Sequence, residues 1–66
     1  MVNIKLIEEL RKQHHYSQEQ IAKLLGYESR TAYNYKIKGS RDFSIEDIIA
    51  ICNLFQLTPN DLIILN

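Results

Sequence analysis

Two short helix patterns meet at a single glycine in the first half of the chain. Residues 17–36 read SQEQIAKLLGYESRTAYNYK, and Gly26 separates the two patterns. Glycine readily adopts the left-handed backbone conformation that ends a helix, so Gly26 fits the position just beyond a helix C-terminus. A break this tight sets two helices at a steep angle, and the second helix then projects from the fold and can contact another molecule.

The spacing of the apolar residues predicts an all-α fold. Most apolar residues recur three and four positions apart, and the alternation expected of a half-buried strand is absent. Ser17, Ser44 and Thr58 are good N-caps for the second, fourth and fifth helices, and Pro59 suits the first position of the fifth. We therefore expect a compact five-helix bundle containing a helix-turn-helix, with helices of about 6–12 residues.

The same spacing identifies candidate core residues. Ala22 is small enough for the point where the second and third helices cross, and Gly26 provides the turn between them. The third helix has few apolar residues, and we expect Ala32 and Tyr35 to face inward. The buried positions predicted for the second and fourth helices are Ile21, Ala22, Leu24, Leu25, Ile45, Ile48, Ile49, Cys52 and Phe55.

Length and composition limit the functions that need to be considered. The chain has 66 residues, which predicts one domain spanning residues 1–66. A lone cysteine excludes an internal disulfide, and no apolar run approaches transmembrane length, so we expect a cytoplasmic protein that does not enter a membrane. No phosphate-binding loop, paired nucleophile and base, or spaced metal ligands occur, so we expect neither an enzyme nor a cofactor or metal site.

Charge is unevenly distributed although the formal net charge is zero. Residues 11–41 carry seven basic residues against two acidic ones, a net of +5, whereas residues 42–66 carry four acidic residues and no basic one. The middle of the chain should therefore present a basic surface, and the C-terminal part an acidic one. Because basic charge supplies most nonspecific affinity for nucleic acid, the basic segment is where such binding would occur.

Together these features resemble the helix-turn-helix family of phage Cro proteins and lambda-type repressors. The matching residues extend through most of the chain, and SIEDIIAICNLFQLTPNDLI is similar to the fourth and fifth helices of that family. Two features depart from the family pattern: one extra residue before Gly39, and bulky tyrosines on the third helix. The residues that carry the resemblance in the first half are Gln18, Ala22, Gly26, Thr31, Ala32, Tyr35 and Gly39.

The resemblance implies a set of DNA contacts. The third helix would lie in the major groove of double-stranded DNA, where Arg30 can pair with guanine. Tyr33 could either contact DNA or simply pack, and Arg30 could also be an ordinary surface residue. The base-facing residues implied are Gln18, Ser29, Arg30, Tyr33 and Asn34, and those assigned to flanking phosphates are Ser17, Lys36, Lys38, Ser40 and Arg41.

Two functions are compatible with this pattern. The first is a sequence-specific transcriptional regulator that binds a two-fold operator as a homodimer, because one such domain contacts only a few base pairs. The second is an antirepressor, or modulator, of phage or prophage type that keeps the helix-turn-helix fold but binds another helix-turn-helix repressor. Zero net charge favours the second reading, and the basic middle segment favours the first.

The C-terminal sequence LIILN is strongly apolar for an exposed end. Leu62 and Ile63 can complete the core, but Ile64 and Leu65 cannot both face inward on one short helix. We therefore expect Ile64 or Leu65 to lie in a self-association or partner surface.

Overall fold

The computed structural model describes residues 2–64 and contains five helices in that range. They are α1 (Ile4–Gln13), α2 (Gln18–Leu24), α3 (Arg30–Ile37), α4 (Ile45–Phe55) and α5 (Pro59–Leu62). The predicted all-α, five-helix architecture is confirmed. The predicted lengths hold for the first four helices, but α5 has only four residues.

Local capping interactions start the helices where the sequence indicates. Ser17 and Gln20 form a capping box at α2, Ser44 and Asp47 form one at α4, and Thr58 begins α5 with Pro59 in its first turn. The Ser17 and Ser44 hydroxyls each accept a hydrogen bond from a backbone amide that has no partner inside the helix. At α5 the Thr58 amide and hydroxyl both donate to the Asp61 carboxylate. These helix starts are set by residues within one turn of each other, which is why the sequence predicted them.

The two ends of the described chain meet. Val2 forms an antiparallel β-bridge with Ile63, and the Asn3 amide donates to the Leu62 carbonyl at 2.7 Å. Asn3 also caps α1 by accepting a hydrogen bond from the Leu6 amide. This contact joins segments about sixty positions apart in sequence, and no local sequence pattern predicts it. Leu65, one of the two residues assigned to a self-association surface, lies outside the described residues.

α2 packs against α3 and α4 packs against α5, and each of these helices and α1 contributes buried residues to the core. Ala22 is 1 % exposed, as expected for a helix crossing, and Leu62 is fully buried. Leu24 was predicted to be buried but is exposed. The buried apolar residues among those described are Ile7, Ile21, Ala22, Leu25, Tyr33, Ile51, Cys52, Phe55 and Leu62.

The buried side of α4 differs from the predicted one. Ile45 and Ile49 were predicted to be core residues, yet they are 76 % and 53 % exposed. Asp47 takes an inward position because a lysine of α3 neutralises it, and Ile51, rather than Ile49, completes the buried side. The inward face of α4 is therefore not its most apolar face, because it includes Asp47, which pairs with the lysine of α3.

Replacing Ala22 with leucine should destabilise the fold, because Ala22 is almost fully buried and a larger side chain would overpack the contact between α2 and α3. We expect a loss of about 1–3 kcal/mol in the free energy of unfolding, measured by denaturant titration. Leu24→Ala, at an exposed position of the same helix, is the control and should change stability much less. An Ala22→Leu protein as stable as the wild type would contradict the observed packing.

Candidate nucleic-acid interface

The turn between α2 and α3 is built on Gly26. Its φ is +85°, and its amide donates to the Lys23 carbonyl at 3.1 Å, while the Tyr27 amide donates to the Ala22 carbonyl at 2.8 Å. This pair of hydrogen bonds is the Schellman arrangement, which satisfies the last carbonyls of a helix. Ser29 then takes the N-cap position, with no side-chain hydrogen bond to the helix, and α3 begins at Arg30.

A polar network fixes the inner side of α3 to α1. Tyr33 is fully buried, and its hydroxyl donates to a carboxylate oxygen of Glu8 at 2.7 Å. Arg11 pairs with the same carboxylate at 2.8 Å and also donates to the Tyr16 carbonyl at 2.7 Å. The hydrogen-bonding groups of this inward tyrosine are thus satisfied, as buried polar groups require.

The predicted base-facing role of Tyr33 is therefore wrong, and so is the inward position predicted for Tyr35. A fully buried side chain cannot reach a base edge, whereas Tyr35 is 44 % exposed. In α3 the side chains of Tyr33, Lys36 and Ile37 face the protein. Tyr35 lies on the opposite side of the helix, which faces solvent. Tyr33 is favoured inside because Glu8 offers its hydroxyl a charged acceptor.

A second polar contact fixes α3 to α4. The Lys36 ammonium pairs with the Asp47 carboxylate, and both side chains are largely buried. The Asp47 carboxylate also accepts a hydrogen bond from the Ser44 amide at 2.8 Å, so it both caps α4 and anchors α3. Lys36 was predicted to contact a phosphate. Its ammonium instead forms an ion pair with Asp47 inside the protein, so it is not available to a phosphate.

Tyr27 lies against this ion pair. The Lys36 ammonium sits over its ring, 4.9 Å from the centroid. Burial, together with the nearby Asp47 carboxylate, raises the pKa of Tyr27 well above its ordinary value. The Tyr27 hydroxyl itself is buried and makes no hydrogen bond of normal geometry. A cation over a ring face is attractive, so Tyr27 helps to hold the Lys36 ammonium in place.

The outer side of α3 is open to solvent. Arg30, Thr31, Tyr35 and Lys38 are exposed, and Asn34 is half-buried between them. These positions follow the helical repeat and so share one face. Sequence reasoning assigned Arg30, Asn34 and Lys38 to DNA contact but left out Thr31 and Tyr35. The resemblance includes Thr31 without assigning it a DNA contact, and the spacing of apolar residues predicts a buried Tyr35.

The remaining predicted residues lie before and after α3. Ser29 is exposed at its N-cap, and Ser17 is exposed at the start of α2, where its hydroxyl accepts the Gln20 amide. Gln18 is half-buried. In the loop after α3, Ser40 and Arg41 are exposed, and the Arg41 guanidinium lies 5.5 Å from the centroid of the Tyr35 ring.

Within residues 11–41, some basic side chains are paired with carboxylates and others keep an unneutralised charge that could bind an anionic ligand. Arg11, Lys23 and Lys36 pair with Glu8, Glu19 and Asp47. Among the residues described, the basic side chains of this segment without a carboxylate partner are Lys12, Arg30, Lys38 and Arg41. Three of these four belong to α3 or flank its C-terminus, so the unneutralised positive charge is concentrated at the exposed face of this helix.

A protein-family model described as helix-turn-helix matches residues 7–62. The chain belongs to the helix-turn-helix family. This match confirms, at family level, the resemblance to lambda-repressor-like and Cro-like proteins, and it covers all five helices but for the first residues of α1. No curated protein and no solved structure matches the chain.

Family membership points to DNA binding and transcription regulation, and such helix-turn-helix proteins are typically not enzymes. Within residues 2–64, no helix is long and apolar enough to span a bilayer. The same described range holds no group of three or more His, Cys, Asp or Glu side chains placed to hold a metal ion. In this helix-turn-helix protein, α3 occupies the place of the recognition helix.

The two anchors of the recognition helix should make stability depend on acidic pH. Burial of Glu8 and Asp47 opposes ionisation, but hydrogen bonds from Arg11 and Tyr33 to Glu8, and from Lys36 to Asp47, outweigh it. The pKa values therefore lie below the ordinary 4.5 and 3.8. A carboxyl with a lowered native pKa stabilises the fold above its ordinary pKa, and this contribution is lost as pH falls through the native value.

We expect the free energy of unfolding to fall as pH drops below these ordinary values. Glu8→Gln and Asp47→Asn should each lower stability at neutral pH and reduce the acid slope, measured by urea titration at a series of pH values. Glu9→Gln, at an exposed neighbouring position, is the control and should leave the slope unchanged. A wild-type slope retained in both core variants would show that these anchors do not control acid stability.

Proposed function

We propose that this chain acts as a single helix-turn-helix domain that regulates transcription in the cytoplasm by binding double-stranded DNA at specific sequences. The recognition helix α3 would lie in the major groove. The observation that carries this proposal is the division of α3 into two sides. Its inner side is fixed by Tyr33 and Lys36, and its outer side is exposed, polar and basic.

The exposed residues divide into two groups by chemistry. Arg30 and Asn34 carry the donor and acceptor groups that read base edges, and Ser29 and Gln18 stand at the starts of the two helices of the motif. Lys38, Ser40 and Arg41, at the other end of α3, suit the DNA backbone, as does Ser17. Tyr33 and Lys36 are left out of this proposed interface because their side chains are engaged inside the fold.

Substitutions on α3 should separate base contacts from phosphate contacts. Arg30→Ala should weaken binding to a preferred site by about 1–3 kcal/mol and relax preference at one base pair, because a side chain that pairs with a base edge is lost. Lys38→Ala should weaken binding to all duplexes alike and reduce the salt slope by about 1, because one fewer phosphate is neutralised. The measurement is a titration against selected and random duplexes at two salt concentrations.

Lys23→Ala is the matched control for that titration. Lys23 is an exposed lysine on α2 that is already paired with Glu19 at 3.7 Å, so its removal should have little effect on binding. Equal and negligible binding by the wild type and all three variants would reject the regulator. If the protein instead formed a stable complex with another helix-turn-helix repressor, the antirepressor function would replace it.

We further propose that the regulator is a homodimer on a two-fold site, since a domain of this size contacts few base pairs alone. Exposed apolar side chains support self-association. Ile64 is 38 % exposed beside the bridge that joins the chain ends, and Ile45 and Ile49 are exposed together on α4. We assign the dimer surface to Ile64, which lies next to the Val2–Ile63 bridge.

A charge placed in the dimer surface should shift the chain toward monomer. We expect Ile64→Lys to raise the dissociation constant by about tenfold or more, because a lysine would have to be desolvated at the interface, as measured by sedimentation equilibrium. Ile49→Lys introduces the same charge at the other exposed apolar site and should leave the constant unchanged. A wild-type protein that remains monomeric at high concentration would contradict the homodimer.

A further inference from the structure

Tyr35 is an aromatic residue on the outer side of the recognition helix. It is 44 % exposed, whereas Tyr33, two positions earlier, is fully buried. Its neighbours on this face are Thr31, one turn before it, and Lys38, about one turn after it, both exposed. The ring therefore adds an apolar surface to a face otherwise made of polar and basic side chains.

The backbone at the end of α3 brings Arg41 to this ring. Gly39 has a φ of +84°, and the Ser40 and Arg41 amides both donate to the Tyr35 carbonyl, at 2.9 and 3.2 Å. The chain thus folds back, and the Arg41 guanidinium lies 5.5 Å from the ring centroid. This contact of a cation with a ring restrains both side chains before any ligand binds.

The pair matches the chemistry at the wall of a major groove. Thymine carries its 5-methyl group there, and apolar side chains recognise it by contact. Backbone phosphates line the groove edge and are bound most often by basic side chains. A ring next to a guanidinium can meet a methyl group and the neighbouring phosphate together. In an intact duplex the bases remain stacked on one another, so the ring has no free base face on which to stack.

We propose that Tyr35 is a specificity-determining residue, whose ring packs on the methyl group of a thymine while Arg41 binds an adjacent phosphate. This inference rests on the proposed function, because it requires α3 to enter the major groove. It also assigns to DNA recognition a tyrosine that the sequence pattern had placed in the core.

Uracil substitution tests the proposal directly, since deoxyuridine lacks only the methyl group of thymidine. A preferred duplex would first be selected from a random pool with the wild-type protein, and each thymine would then be replaced in turn. At one thymine per half-site, we expect deoxyuridine to weaken wild-type binding about three- to fivefold, the effect of exposing one buried methyl group. Tyr35→Ala should bind the thymine and uracil duplexes equally.

Two variants separate this contact from its alternatives. Tyr35→Phe keeps the ring and should retain the preference for thymine; loss of that preference would indicate a hydroxyl hydrogen bond and overturn the proposal. Arg41→Ala should weaken binding to all duplexes and lower the salt slope while retaining some preference for thymine. Because Tyr35 and Arg41 are exposed, we expect each variant to keep the melting temperature of the wild type. An unchanged melting temperature then shows that the fold is intact.

The outcomes distinguish this inference from the proposed function. A wild-type protein that binds no duplex overturns both. A protein that binds a selected sequence, with the same response to uracil in the wild type and in Tyr35→Ala, overturns the role of Tyr35 and leaves the regulator standing. Loss of the uracil response in Tyr35→Ala alone supports the direct contact.

Discussion

The anchoring of α3 by two largely buried polar contacts is the constraint on which the rest of the structure depends. Tyr33 reaches Glu8 on α1, and Lys36 reaches Asp47 on α4, so one short helix is held from both sides. α3 has only eight residues and few apolar side chains, and helices of that length are marginal in isolation. Its orientation is therefore set by these directional hydrogen bonds and ion pairs together with its packing against α2.

This way of holding the helix decides which residues are left for a ligand. Because Tyr33 and Lys36 point inward, the outward positions fall to Arg30, Thr31 and Tyr35. A buried charge that loses its partner is strongly destabilising, so such anchors tolerate little rotation of the helix. In a DNA-binding protein that rigidity has a use, since base contacts need their donors in place before the helix enters the groove.

The sequence predicted what depends on neighbours within one turn. Ser17, Ser44 and Thr58 begin helices as expected, and Gly26 adopts the predicted positive φ. It failed where a partner lies far along the chain. Nothing near Tyr33 shows that Glu8, 25 positions away, will accept its hydroxyl.

The errors at the candidate site have the same cause. Choosing between Tyr33 and Tyr35 for the core requires the position of α1. To predict that Lys36 is unavailable to a phosphate, one must know how α3 packs against α4, because that packing brings Lys36 to Asp47. Ile45 and Ile49 are predicted to be buried from the spacing of the apolar residues, and that spacing does not show that Asp47 faces inward to pair with Lys36. Thus the helices could be predicted from the sequence, but the side of α3 that faces outward could not.

The distribution of charge follows from these anchors as well. A formal net charge of zero gives little long-range attraction to nucleic acid. Pairing of Arg11, Lys23 and Lys36 removes part of the positive charge of the middle segment, while Arg30, Lys38 and Arg41 keep theirs along one helix and its loop. A regulator built this way would have weak affinity for arbitrary sequences. Its affinity for the correct site would then depend on base contacts and on a second subunit, which favours discrimination over general attraction to DNA.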